Sequence, residues 1–321
     1  MALLEVKNLA VALPSAGGAA HLPVVRGVEF SVPEGGFHCL VGESGCGKSL
    51  AAMSLTRLSP ADTAKLSGEI LFRGEDILKA APRRLRAMRR EGGIANIFQD
   101  PVSSLNPVLR VGVQMREASA AARRRCAAGR AAELLEKVGL SNPEKILRSY
   151  PCELSGGMAQ RVCIAMAMAQ KPALLIADEP TTALDTVTQK MVLDLLAEIR
   201  RSEKVAMLFI THNLGLVAGY GDTVSVMYAG QLVEGGPVEE VLRAPAHPYT
   251  AGLLAAAPSL RGGTVDDLAT IPGRVPPPSE WPTEACAFAP RCAKADELCR
   301  RAAPPPSPAL PSRVVRCFHP K

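Results

Sequence analysis

The chain has 321 residues, 47% hydrophobic and 21% charged, which is enough for about two domains with buried cores and too apolar for a disordered chain. Its 37 basic and 31 acidic side chains leave a formal net charge of +6, compatible with anionic ligands or membrane headgroups and too modest to demand nucleic acid. No apolar run nears the roughly 18 residues of a membrane span, and Glu5 stands where a secretory signal would carry basic residues, so a cytoplasmic protein is expected.

In chain order, residues 36–41 (Gly-Phe-His-Cys-Leu-Val) read as a short buried strand, and Lys48, Ser49, Leu50, Ala51 and Ala52 open a helix. Between them Gly42-Glu43-Ser44-Gly45-Cys46-Gly47-Lys48-Ser49 satisfies the phosphate-loop pattern in the strand-to-helix context it requires. Its glycines let successive N–H groups point at a phosphate, with the helix start adding positive charge. Lys48 is then placed to reach the β- and γ-phosphates and Ser49 to ligate Mg²⁺, while Cys46 supplies a loop N–H as a spectator. A glycine-rich turn without a ligand is the alternative.

Next comes a basic stretch: Arg83, Arg84, Arg86, Arg89, Arg90 and, later, Arg123 to Arg125. With Leu134, Leu135 and Val138 marking an amphipathic helix, it predicts a helical insertion whose arginines form a solvated face. Gln99, in Ile97-Phe98-Gln99-Asp100-Pro101, is an amide able to meet Mg²⁺ or a lytic water, a weak signal by chemistry alone. The apolar run Ala173 to Ala177 ends in Asp178 and Glu179, two carboxylates that can reach one crevice at the carboxyl end of a strand. Asp178 suits a magnesium contact and Glu179 suits polarisation of water.

A capping box of Thr186 with Gln189 then opens a helix with Val187, Met191, Val192, Leu195, Leu196 and Ile199 on one face, a βαβ crossover. The strand Val205 to Ile210 delivers His212 at its end, and Thr223 to Tyr228 is a further buried strand, so an α/β sheet is expected. Past Gly235-Gly236-Pro237 the proline-rich texture predicts irregular structure and a domain boundary near residue 236. Four of nine cysteines, Cys286, Cys292, Cys299 and Cys317, fall here with five, six and seventeen residues between them. Four thiolates suit tetrahedral zinc or an iron–sulfur cluster, and the spacing alone does not choose; unliganded thiols are the third reading.

Leu154-Ser155-Gly156-Gly157-Met158-Ala159-Gln160-Arg161 resembles the signature motif of ATP-binding-cassette (ABC) ATPases. The phosphate loop, the Gln99 loop, Asp178-Glu179, Ala183-Leu184-Asp185 and His212 follow that family's order across residues 1 to 236. The resemblance implies a P-loop NTPase α/β core with an antiparallel β subdomain and a helical subdomain at about 100–165. Residues 237–321 would be a small, irregular cysteine-rich extension.

The resemblance also assigns roles. ATP would meet Leu13, Gly42, Ser44, Gly45, Cys46, Gly47, Lys48, Ser49 and Leu50. Magnesium would be held by Ser49, Gln99 and Asp178, and hydrolysis would use Glu179, His212 and Gln99. Leu154, Ser155, Gly156, Gly157 and Met158 would close over the ATP of a partner cassette in a head-to-tail dimer, beside a D-loop of Ala183, Leu184 and Asp185. Leu13 aligns where many cassettes stack an aromatic on adenine, and Asn213 stands where an aspartate is common.

Phe98-Gln99-Asp100-Pro101-Val102-Ser103-Ser104-Leu105-Asn106-Pro107, the Leu-Ser-Gly-Gly-Met signature, His247-Pro248-Tyr249-Thr250 and the cysteine tail are similar to the oligopeptide/dipeptide (nickel) importer branch. That likeness implies an ATPase peripheral to the cytoplasmic face of the inner membrane. Its partners would be a second ABC ATPase subunit, identical or paralogous, two transmembrane permease subunits and, indirectly, an extracytoplasmic peptide-binding protein, with no nucleic acid. It favours a 4Fe–4S cluster on Cys286, Cys292, Cys299 and Cys317. The competing classes are a soluble ABC ATPase acting on nucleic acid or ribosomes, which lacks its usual second cassette or coiled coil here, and a regulatory metal-sensing module, disfavoured by the intact Glu179 and His212.

Overall fold

The computed structural model describes residues 2–15, 21–58, 64–90, 92–121, 128–182, 184–257, 270–310 and 312–321. Arg123 to Arg125, Cys126 and Ala183 lie outside them. The chain divides into two units, each assembled from separated stretches: residues 33–36 with 79–209, and residues 2–32 with 37–78 and 210–321.

In the first unit, strands Ile94–Ile97 and Leu174–Asp178 run parallel, Ile94 opposite Leu174 and Ile97 opposite Ala177. Strand Ala206–Thr211, which belongs to this unit as far as Phe209, lies on the other side of Leu174–Asp178. Every residue of Leu174–Asp178 is buried, so the apolar run is continuous rather than alternating, as in a sheet covered on both faces. Helices Val111–Ala121 and Ala128–Lys137 pack on helix Gly156–Ala169, burying Met115, Leu134, Leu135, Val162 and Ala165. On helix Pro82–Met88 only Leu85 and Met88 turn inward, and Arg83, Arg84 and Arg86 form the solvated face.

The long helix spans Thr186–Glu203, but its cap is Asp185 rather than Thr186. The Asp185 carboxylate accepts from the Val187 and Thr188 N–H groups at 3.1 and 3.0 Å, and an ionised acceptor serves those donors better than a hydroxyl. Gln189 turns away to donate to Thr181 Oγ1 at 3.1 Å. The buried face is Val192, Leu193, Leu196 and Ile199, whereas Val187 and Met191, expected inside, are exposed.

The second unit holds two sheets. One orders His21–Pro33, Ala2–Pro14, Lys65–Phe72 and Glu75–Asp76. Its pairing of Ala2–Pro14 with Lys65–Phe72 is antiparallel, Leu4 opposite Phe72, and broken by a register shift between Lys7 and Ala10. In the other, the wholly buried Phe37–Val41 lies parallel to Thr223–Tyr228, followed by Gln231–Pro237 and the short strands Arg313–Val315 and Ser307–Leu310.

Residues 237–321 are therefore not simply irregular. They form helices Val238–Arg243, Pro248–Ala256 and Glu297–Arg301, and a hairpin whose Val315 pairs with Glu234. Proline hid this order, because it opens helices as well as breaking them: Pro248 is the first residue of its helix. Among the described residues no helix is long and apolar enough to cross a membrane.

Candidate functional site

The phosphate loop leaves the buried strand Phe37–Val41 and enters helix Lys48–Ser54 through Gly47, at φ 103°. Only glycine adopts that backbone without strain. Gly42 is forced by space, since a Cβ there would sit 2.2 Å from the Met227 carbonyl oxygen. Cys46 packs beneath, fully buried, and its carbonyl accepts the Gly230 N–H at 3.0 Å. Its own N–H leans toward the Glu43 carbonyl at 3.4 Å instead of facing outward, and burial pushes its thiol up.

Lys48 is buried, its ammonium resting on the carbonyl oxygens of Gly42 and Glu43 at 2.7 and 3.0 Å. Ser49 and Leu50 are half-buried behind it, while Ser44 and Gly45 are exposed; Leu13 is half-buried near the end of its strand. Two residues to which the sequence reading gave no role also hold this loop. Tyr249 Oη accepts the Glu43 N–H at 2.9 Å, and Arg291 meets the Glu43 carboxylate at 2.7 and 3.0 Å. The His-Pro-Tyr-Thr motif pointed at Tyr249 without a role, and nothing in the sequence pointed to Arg291.

The carboxylate pair lies in the first unit. Strand Leu174–Asp178 ends on Asp178, 5% exposed, and the next residue, Glu179, is 7% exposed with φ 44°. A left-handed non-glycine at this point breaks the alternation of a strand, and such strain collects at working sites. It turns the Glu179 carboxylate toward Thr182 Oγ1, which donates at 2.8 Å, and toward the Gln99 amide, which donates at 3.3 Å. Two residues 80 positions apart are thus joined. Ser49, Gln99 and Asp178 supply only oxygen donors, the chemistry a hard ion such as Mg²⁺ requires.

Ser155 caps helix Gly156–Ala169, accepting the Met158 N–H at 3.3 Å. The helix begins at Gly156, so the two glycines open its first turn. Ser155 and Gly156 are exposed, Leu154, Gly157 and Met158 half-buried. Ser155, Gly156, Gly157 and Met158 border an open depression of about 460 Å³ shared with Arg161, Leu184 and Asp185. In the second unit His212 is exposed just past strand Ala206–Thr211, and Asn213 caps the following turn by accepting the Gly215 N–H at 2.9 Å.

Cys286, Cys292, Cys299 and Cys317 line one small cavity together with Phe288 and His319. Burial pushes the Cys286, Cys299 and Cys317 thiols up, and each is raised further by at least one other cysteine of the four. A donor set of four thiols suits a thiolate-bound group. Asp296 caps the Cys299 N–H at 2.9 Å and pairs with His319 at 2.8 Å. Among the described residues, the trio whose ligand atoms all lie within 4.8 Å is Asp296, Cys299 and His319.

Residues 25–182 match the ABC transporter family, and residues 233–299 match the C-terminal region of oligopeptide/dipeptide transporters. The oligopeptide transport ATP-binding protein OppD of Bacillus subtilis (strain 168) is 44% identical over 307 residues, 94% of this chain and 85% of that protein. A putative peptide import ATP-binding protein of Brucella abortus (strain 2308) is 44% identical over 319 residues, 98% of this chain and 94% of its own length. Among solved structures, the dimeric post-hydrolysis state of the ATP-binding cassette MJ0796 bound to ADP and Pi superposes with a TM-score of 0.64 at 25% identity, over 73% of this chain and 98% of that one. With the family match over residues 25–182, the C-terminal-region match over residues 233–299 and relatives 44% identical over nearly the whole chain, the chain belongs to the ABC transporter ATP-binding proteins, in the oligopeptide/dipeptide branch.

Proposed function

We propose that this protein is the ATP-hydrolysing subunit of an importer of di- or oligopeptides, working with a second cassette and two membrane permease subunits at the cytoplasmic face of the membrane. The observation that carries the reading is the Gln99–Glu179 hydrogen bond of 3.3 Å beside Asp178, at the end of a buried strand. In a chain that also has a phosphate loop, it places an acceptor for a water proton next to an oxygen donor for the cation.

Residues 42–49 cradle the phosphates. On ATP binding Lys48 exchanges the Gly42 and Glu43 carbonyls for phosphate oxygens, so the loop loses none of its charge balance. Ser49, Gln99 and Asp178 would hold Mg²⁺, which supplies charge neutralisation at the transferred phosphoryl group when bound. Glu179 polarises the attacking water, and His212 donates to the γ-phosphate. Ser155 and its glycines cover the ATP of the partner cassette. Leu13 offers no ring for adenine, so stacking is either supplied by another residue or lost from the affinity. Glu179→Gln should retain MgATP binding and slow turnover at least about a hundredfold. Near-normal turnover in that variant removes Glu179 from the mechanism.

Cys286, Cys292, Cys299 and Cys317 are the residues we assign to a 4Fe–4S cluster, a reading supported by four thiols lining one small cavity. Anaerobically purified protein should be brown, absorb in the visible and contain iron. Colourless protein carrying zinc contradicts the assignment.

A further inference from the structure

We propose that Arg291 and Tyr249, both from the C-terminal quarter of the chain, are positioning residues for the phosphate loop; the inference rests on that loop being the ATP site. Glu43, the second residue of the loop, is held at every polar group. Its N–H donates to Tyr249 Oη at 2.9 Å, its carbonyl accepts Lys48 Nζ at 3.0 Å, and its carboxylate receives Arg291 Nη1 and Nη2 at 2.7 and 3.0 Å.

The holders are themselves fixed. The Arg291 side chain is 6% exposed. Its Nε donates to the Pro272 carbonyl at 2.7 Å, and its guanidinium lies 5.7 Å from the centre of the Tyr228 ring. Tyr249 is fully buried and packs against Tyr228 and Phe288, with ring centroids 4.8 and 5.3 Å away. His247 Nδ1 accepts the Tyr249 N–H at 3.0 Å, so the His-Pro-Tyr-Thr motif orients the tyrosine.

The chemistry gives these contacts a purpose. A carboxylate one residue into a loop built for a triphosphate repels its ligand, and the bidentate arginine both neutralises it and turns it aside. Tyr249 fixes the plane of the peptide before Glu43 and so the path of the loop whose Gly42 and Glu43 carbonyls bear the resting Lys48. Geometry set before the nucleotide arrives is stabilisation that does not have to be organised on binding.

The test is a fluorescence titration with mant-ATP and Mg²⁺ on the full chain, with thermal midpoints recorded without nucleotide. Arg291→Gln should weaken binding about tenfold, the scale of a lost charge-assisted pair. Glu43→Gln with Arg291→Gln should restore most of that loss, because no unpaired carboxylate remains. Arg291→Lys should recover part of it, and Tyr249→Phe, which keeps the ring packing, should weaken binding several-fold. The last two variants carry the test if Arg291→Gln does not fold. Wild-type affinity in Arg291→Gln, or no recovery in the double variant, overturns the proposal. A wild-type chain that binds no mant-ATP overturns the reading of the loop itself.

Discussion

At the scale of single residues, Glu179 and Glu43 show two ways a backbone can serve a carboxylate. Glu179 takes a left-handed φ of 44° at the end of a buried strand, which lets it leave the strand's alternation and meet Gln99 and Thr182. Glu43 sits in a loop where Gly42 and Gly47 carry the unusual geometry, and its own polar groups are spent on holding the loop still. The phosphate loop was legible because its chemistry is local: eight consecutive residues contain the glycines, the lysine and the hydroxyl. The Arg291–Glu43 pair was not, because 248 positions separate its members and no spacing rule links them. Gln99 was a weak candidate for the same reason, and its bond to Glu179 is what raises it above a solvated amide.

Among the elements, the four expected buried strands fall within a residue of those observed, because parallel strands covered on both faces are continuous apolar runs, whereas Ile94–Ile97, only four residues long, was not read as a strand. Helix caps were read less well. Asp185 displaced Thr186 as the cap because charge outweighs the sequence pattern, and Val187 and Met191 stayed outside the core although they continue the apolar face. The C-terminal elements were illegible because their order comes from long-range pairing: buried Glu234 accepts from the Ala246 and His247 N–H groups at 2.8 and 2.9 Å and pairs with Arg313.

Strand Phe37–Val41 carries its own pH dependence. His38 is buried, its Nδ1 is 2.8 Å from Thr223 Oγ1, it stacks on Phe30, and burial pushes its pKa down to about 4. The unfolded chain takes up that proton near pH 6.5 while the folded chain does not, so the unfolded state binds more protons in between and stability falls as pH drops from about 6.5 toward 4. Thermal midpoints measured across that window should decline more steeply for wild type than for His38→Gln. Identical slopes would remove His38 from the acid sensitivity; His247, also held down to about 4 by burial, contributes in the same direction.

For the whole molecule, the family match extends over both the cassette and the C-terminal region, and the second unit brings the phosphate loop and the cysteine segment into one body. The chain carries one phosphate loop and one signature, and in the function proposed above each site is completed by the Ser155 segment of another cassette. The most direct measurement is ATP turnover per chain over a wide dilution series, for wild type and for Ser155→Arg. Turnover per chain should fall on dilution, and Ser155→Arg should lower it at least about a hundredfold at every concentration, the scale of one lost catalytic group. Constant turnover at all dilutions, with Ser155→Arg as active as wild type, would contradict the account.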